Sequence, residues 1–105
     1  MSDERIGAIF AALGDSTRRR VVSSLTERGP LTATELAEII PVSRQAIAKH
    51  LGTLADAGLV AGDREGREMR FRLTPGPMAE AVSWMAATGA EWDERLARLR
   101  RHFSR

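Results

Sequence analysis

The sequence predicts a mainly α domain with one small β-hairpin. Apolar residues recur at steps of three and four through most of the 105 residues. Most Gly and Pro fall between those periodic segments, as punctuation. One stretch alone, LVAGDREGREMRFRL at residues 59–73, switches to alternating hydrophobicity about a glycine. A chain of this length supports one core, so residues 1–105 are expected to form a single domain.

Ile6, Ile9, Phe10 and Leu13 share one side of a first helix, which Gly14 stops. Asp15 is placed to cap a second helix whose inward residues are Val21, Val22 and Leu25, and Gly29-Pro30 ends it. Thr32 and Glu35 form a T-x-x-E capping box, each side chain satisfying a backbone N–H that the helix start leaves unpaired. Leu36, Ile39 and Ile40 are that third helix's apolar side, and Pro41 forbids its continuation. Ser43 caps a fourth helix with Ile47, Leu51, Leu54 and Ala55 turned inward, and Gly58 supplies a left-handed end.

In the hairpin, Met69, Phe71 and Leu73 lie on one side and Glu68, Arg70 and Arg72 on the other. A two-residue turn at Glu65-Gly66 would set Asp63 against Glu68, a like-charge pair that costs stability. A three-residue loop from Arg64 to Gly66 sets Asp63 against Arg67 and Ala61 against Met69, and is the expected register. Pro75 and Pro77 introduce a last helix. Along it Met78, Val82, Met85, Gly89, Trp92, Leu96, Leu99 and Phe103 alternate steps of four and three, with Trp84 off the stripe. The stripe reads either as core or as a dimer seam. Because Trp92, Leu96, Leu99 and Phe103 extend beyond one small core, the seam is the expected use, with continuity through Gly89 left open.

Composition narrows the function. The chain has no cysteine, hence no disulfide and no thiolate metal site. Net charge is only +2, so the placement of charge matters more than its sum. The start resembles no secretory signal, and no apolar run reaches membrane-spanning length, so a cytoplasmic protein is expected. The two histidines, His50 and His102, lie far apart, and neither a phosphate-cradling glycine loop nor a nucleophile elbow occurs. No enzyme and no cofactor are expected.

Two short helices joined by a tight proline-containing turn, the second capped and basic at its start, have the form of a helix-turn-helix. In VSRQAIAKHLGTLADAGLV, residues 42–60, the side opposite the apolar stripe offers Arg44, Gln45, Ala48, Lys49 and Thr53, with no acid before Asp56. Arg and Gln match base edges in a DNA major groove. The backbone N–H groups at the helix starts near Thr32 and Ser43 suit phosphates. An ordinary solvated surface is the bland alternative; the capped helix before it and the hairpin after it favour DNA. His50, at the edge of the apolar stripe, reads as a packing or phosphate-contacting histidine. Arg64, Arg67 and Arg70 on the hairpin suit phosphates or a minor groove, or else protect an exposed β edge. Consecutive helical residues diverge by about 100°, so Arg18, Arg19 and Arg20 cannot all meet one partner and are expected to be solvated or intersubunit.

Nearly the whole chain resembles the ArsR family of winged helix-turn-helix repressors. ALGDSTRRRVVSSL resembles that family's second helix, LTATELAEIIPVSRQAIAKHLGTLADAGLV its helix-turn-helix, and REGREMRFRL its wing. The resemblance implies a homodimer that joins through the first and last helices and represses transcription from a roughly palindromic double-stranded operator. Ile6, Phe10, Val82, Met85, Gly89, Trp92, Leu96, Leu99 and Phe103 would form its interface. Many members sense metal through two cysteines flanking one residue; Thr32 and Thr34 stand there, and threonine is a poor substitute for thiolate. Glu80, Glu91, Asp93, Glu94 and His102 do not reproduce the family's other metal spacing. Ala48 and Gly52 replace residues that are usually polar or basic. The EWDERLARLRRHF ending resembles a metal-independent subgroup, and the effector is unknown. Two alternatives stay open: a metal-responsive repressor with oxygen and nitrogen ligands, and a winged-helix protein-interaction module without operator specificity.

Overall fold

A computed structural model describes residues 3–103; the side chain of Phe103 lies outside the described set. Helices α1 (Asp3–Leu13) and α2 (Ser16–Arg28) are followed by a short strand β1 (Leu31–Thr32). Then come α3 (Ala33–Ile39), α4 (Arg44–Asp56), β2 (Val60–Glu65), β3 (Glu68–Leu73) and α5 (Pro75–Phe103). Among the described residues the fold therefore comprises five helices and a three-stranded antiparallel sheet in the order β1-β3-β2.

The starts of the middle helices follow from local capping. Asp15 accepts the Arg18 backbone N–H at 3.0 Å, and Ser43 accepts that of Ala46 at 3.1 Å. Both halves of the Thr32–Glu35 box form, at 3.0 and 3.1 Å. Gly58 closes α4 with φ 78°, and a Cβ there would sit 3.2 Å from the Pro77 ring, so backbone conformation and close packing both demand glycine. The core joins Ile9, Val21, Leu25, Leu36, Ile40, Ile47, Leu51, Leu54, Leu59 and Val60. Ala55, expected inside, is exposed, because the inward side of α4 is filled by Ile47, Leu51 and Leu54.

Strand β1 was not expected. At two residues it is too short to show a period, and it exists by pairing Leu31 with Phe71 and Thr32 with Arg70. The hairpin register also differs from expectation. The turn is Gly66-Arg67, so Asp63 pairs with Arg70, Ala61 with Arg72, and Glu65 with Glu68. Gly66 has φ 65°, and among the described residues only glycines have positive φ, the pattern of a type II′ turn with glycine first. The Glu65–Glu68 repulsion is offset by Arg70, whose guanidinium lies 2.9 Å from Glu65 and 3.9 Å from Glu68.

Helix α5 runs unbroken through Gly89. Its 29 residues span roughly 44 Å at 1.5 Å each. The radius of gyration is 18.0 Å, against about 13 Å for a compact chain of this length, because α5 projects from the body. Its inner side is not the whole apolar stripe. Met78 packs on the core, Ala81 is fully buried, and Trp84 meets Phe10 edge-on at 5.7 Å between ring centres. Trp84, off the stripe in the sequence, thus makes an intramolecular contact with Phe10, although 42% of it stays exposed. Val82, Met85, Trp92, Leu96 and Leu99 stay between 43% and 57% exposed. Among the described residues no helix is long and apolar enough to cross a membrane.

Candidate nucleic-acid interface

Helix α4 lies across α3 and sends its solvent side outward from a capped first turn. Arg44, Gln45, Ala48, Lys49 and Thr53 are all exposed. Arg44 and Lys49 enter no ion pair among the described residues, and neither do Arg64 and Arg67 at the hairpin tip. One hollow, bordered by Thr34, Arg44, Ala48, Arg64, Arg67 and Met69, brings the α4 start and the hairpin tip together. Ser43 contributes its cap, and the Thr53 hydroxyl donates back to the Lys49 carbonyl at 3.3 Å. The outward set is a row of unneutralised donors beside a helix start whose backbone N–H groups favour anions.

Thr32, Arg70 and His50, placed on this surface by the sequence, have other contacts within the chain. Thr32 is 7% exposed, with its hydroxyl taken by the capping box. Arg70 is held by Glu35 at 3.1 Å and Glu65 at 2.9 Å, and also donates to the Pro30 carbonyl. Its positive charge is answered by acids, and the side chain ties the hairpin to the start of α3. Arg72 is likewise paired, with Asp63 at 2.8 Å. His50 is half-buried and turns toward α2, its Nδ1 3.3 Å from the Arg18 guanidinium and 4.0 Å from Asp15.

The Arg18–Arg20 run, expected to be solvated or intersubunit, is partly structural. Arg18 donates to the carbonyls of Ala12 at 2.6 Å and Ala11 at 3.3 Å, and Arg19 to that of Leu13 at 2.8 Å. These are the last carbonyls of α1, which the helix itself leaves unpaired. Asp15, Arg18 and His50 therefore join the α1–α2 corner to the recognition-type helix. Sequence reading missed this cluster because His50 lies 32 residues from Arg18.

The carboxylates of the scaffold carry the clearest electrostatic signatures. Asp15 is held below its usual pKa, first by the Arg18 backbone N–H, against desolvation, with the His50 and Arg18 charges adding. Glu35 is also lowered, first by the Thr32 backbone N–H, with Arg70 adding charge and a hydrogen bond. Arg70 is raised, first by its hydrogen bond to Glu65. The threonine pair does not suit a divalent metal: both donors are neutral oxygens, and that of Thr32 is buried in its cap.

Residues 13–63 match the family model of a helix-turn-helix domain. The HTH-type transcriptional regulator YuzN of Bacillus subtilis is 52% identical over an alignment covering 57% of this chain and 72% of that protein. The solved structure of an ArsR-like transcriptional regulator from Rhodococcus sp. RHA1 is 41% identical, covers 93% of this chain and 92% of its own, and superposes with a TM-score of 0.81. The chain belongs to the ArsR family. It is a winged helix-turn-helix transcriptional regulator, with α3 and α4 as its helix-turn-helix and β2–β3 as its wing. The transcriptional repressor SdpR of Bacillus subtilis is 30% identical, over 73% of this chain and 84% of that protein.

For this ArsR-family regulator the expected dimer positions divide into two groups. Ile6 is 7% exposed and Phe10 is half-buried against Trp84, so the chain's own fold leaves Ile6 almost no free surface. Val82, Met85, Gly89, Trp92, Leu96 and Leu99 form an exposed, mainly apolar row. Phe103 ends α5, and its side chain lies outside the described residues.

Proposed function

We propose that this ArsR-family chain is a homodimeric, metal-independent repressor of a roughly palindromic operator. In each half-site Arg44 and Gln45 read base edges in the major groove, Lys49 assists, and Ser43 and Thr53 hold the helix start and its polar edge. Arg64 and Arg67 lie along phosphates beside it. The observation that carries this reading is selective pairing: Arg70 and Arg72 along the wing strand are matched with acids, while Arg44, Arg64 and Arg67, which border one hollow, and Lys49 on the exposed surface of α4 are left unmatched.

Dimerisation rests on the exposed α5 row. Five large apolar side chains each about half-exposed on a helix that extends past the core call for a partner surface. A second copy supplies an identical row, and two-fold symmetry would then set the recognition helices about 34 Å apart, one turn of DNA. The test is selection of duplexes from a random pool by the full chain, with footprinting at several salt concentrations and a mass measurement of the free protein. A protected symmetric site and a two-chain mass are expected, with Leu96→Glu yielding single chains. A single-chain mass for the unaltered protein, or equal affinity for all duplexes, would overturn the reading, and so would stoichiometric zinc binding that changes affinity.

A further inference from the structure

Between the first residue of α3 and the start of α4 lies a small hollow bordered by Ala33, Arg44, Gln45 and Ala48. Its polar rim and apolar base come from different chemistry. Ala48 is four residues after Arg44 and three after Gln45, so all three share one side of the helix. Ala48 is exposed, Ala33 is half-buried against the core, and both offer only methyl groups. A guanidinium and a carboxamide thus flank a methyl-lined recess on the surface assigned above to the major groove.

Among the base edges of that groove one group alone is apolar, the C5-methyl of thymine. We infer that the Ala33–Ala48 recess is a specificity subsite for a thymine methyl in each half-site, next to the bases that Arg44 and Gln45 read. The inference rests on the DNA-reading assignment of α4 and adds an apolar element to it. The competing use of alanine at position 48 is plain clearance, letting the helix approach any base pair. The two uses separate cleanly, because clearance is indifferent to one methyl group.

The test is a deoxyuridine scan of the duplex recovered by selection, one thymine replaced at a time. Uracil keeps the Watson–Crick pairing and every polar groove atom and removes only the methyl. One thymine per half-site is expected to respond, with affinity falling about fourfold, the value of roughly 0.8 kcal/mol for one buried methyl-sized group at 1.4 kcal/mol per tenfold. Replacement in both half-sites together should cost about fifteenfold if the two act independently. In Ala48→Gly and, separately, Ala33→Gly, with folding checked by circular dichroism, the penalty at that position should shrink toward none while the preference read by Arg44 persists. Selective binding with a flat uracil scan would overturn the subsite and leave the DNA-reading assignment standing. A uracil penalty unchanged in both glycine variants would also overturn it. Failure to select any preferred duplex would overturn both.

Discussion

Arg44, in the first turn of α4, is exposed and enters no ion pair among the described residues, whereas Arg70, on β3, is gripped by Glu35 and Glu65 with Glu68 close by. Both are long cations near the border between helix-turn-helix and wing, and the sequence offers both to DNA. The acids around them divide their roles. A guanidinium already meeting carboxylates must give them up before it gains a phosphate, and the exchange returns little. An unmatched guanidinium loses only water. Cation count is therefore a poor guide to a nucleic-acid surface, and cations without local acids are a better one.

The largest effect expected from this comparison is at Arg44. Arg44→Ala should cost about 1–3 kcal/mol in each half-site at one base position, relaxing the preference there and leaving other positions discriminated. Binding to duplexes mutated singly across the operator measures it. Equal weakening toward every duplex would mean that Arg44 touches backbone, and the contrast with the wing would disappear.

Arg67→Ala should act differently from Arg44→Ala. It is expected to weaken binding to all sequences alike and to reduce the slope of log affinity against log salt by about 0.9 for each phosphate the side chain no longer neutralises. Arg70→Gln gives the sharpest contrast with Arg67. Its charge is already answered, so the salt slope should barely change, while hydrogen exchange of the β2 and β3 amides should accelerate as the hairpin loses its tie to α3. A slope that falls as much for Arg70→Gln as for Arg67→Ala would show that the acids release Arg70 to DNA.

What is legible in the sequence follows the range of the interactions. The caps at Asp15, Thr32 and Ser43 join residues three apart, so local chemistry displays them, and each forms. The apolar periods of α1 to α4 likewise place most of the core. Arg70 meets Glu35 across 35 positions and Arg18 meets His50 across 32, distances at which no period or cap carries information. The wing register escapes sequence reasoning for a related reason. Alternation keeps Met69, Phe71 and Leu73 together whichever turn is used. Keeping Asp63 away from Glu68 does not decide the register, because the observed Gly66-Arg67 turn does so too by pairing Asp63 with Arg70. The repulsion at Glu65–Glu68 is compensated by Arg70 from the next-but-one position, which a pairwise rule does not weigh. In α5 the sequence displays a single stripe where the fold has two. Met78 and Ala81 pack on the chain's own core and Trp84 meets Phe10, and the longer row from Val82 to Leu99 is left outside.

The smallest expected effect concerns the acids themselves, which on this view serve the scaffold and not the reading surface. Asp15 and Glu35 both have pKa values lowered in the folded chain, each first by a backbone N–H at a helix start. A carboxylate lowered on folding stabilises fully above its unfolded value and loses that contribution as pH falls through the folded one. The unfolded values lie at about 4, so stability should be flat above about pH 5 and decline below it. Asp15→Asn and Glu35→Gln keep an acceptor at each cap but no longer titrate there. Thermal melting between about pH 6 and pH 3, the range that brackets those unfolded values, should show the unaltered chain losing its midpoint more steeply than the double variant. Parallel declines would place the acid-sensitive groups elsewhere and remove the two caps from the pH response. Asp15 caps α2 and Glu35 closes the capping box of α3, whereas α4 is capped by Ser43, which does not titrate. A difference between the two melts would therefore report on the helices that support α4 and not on α4 itself.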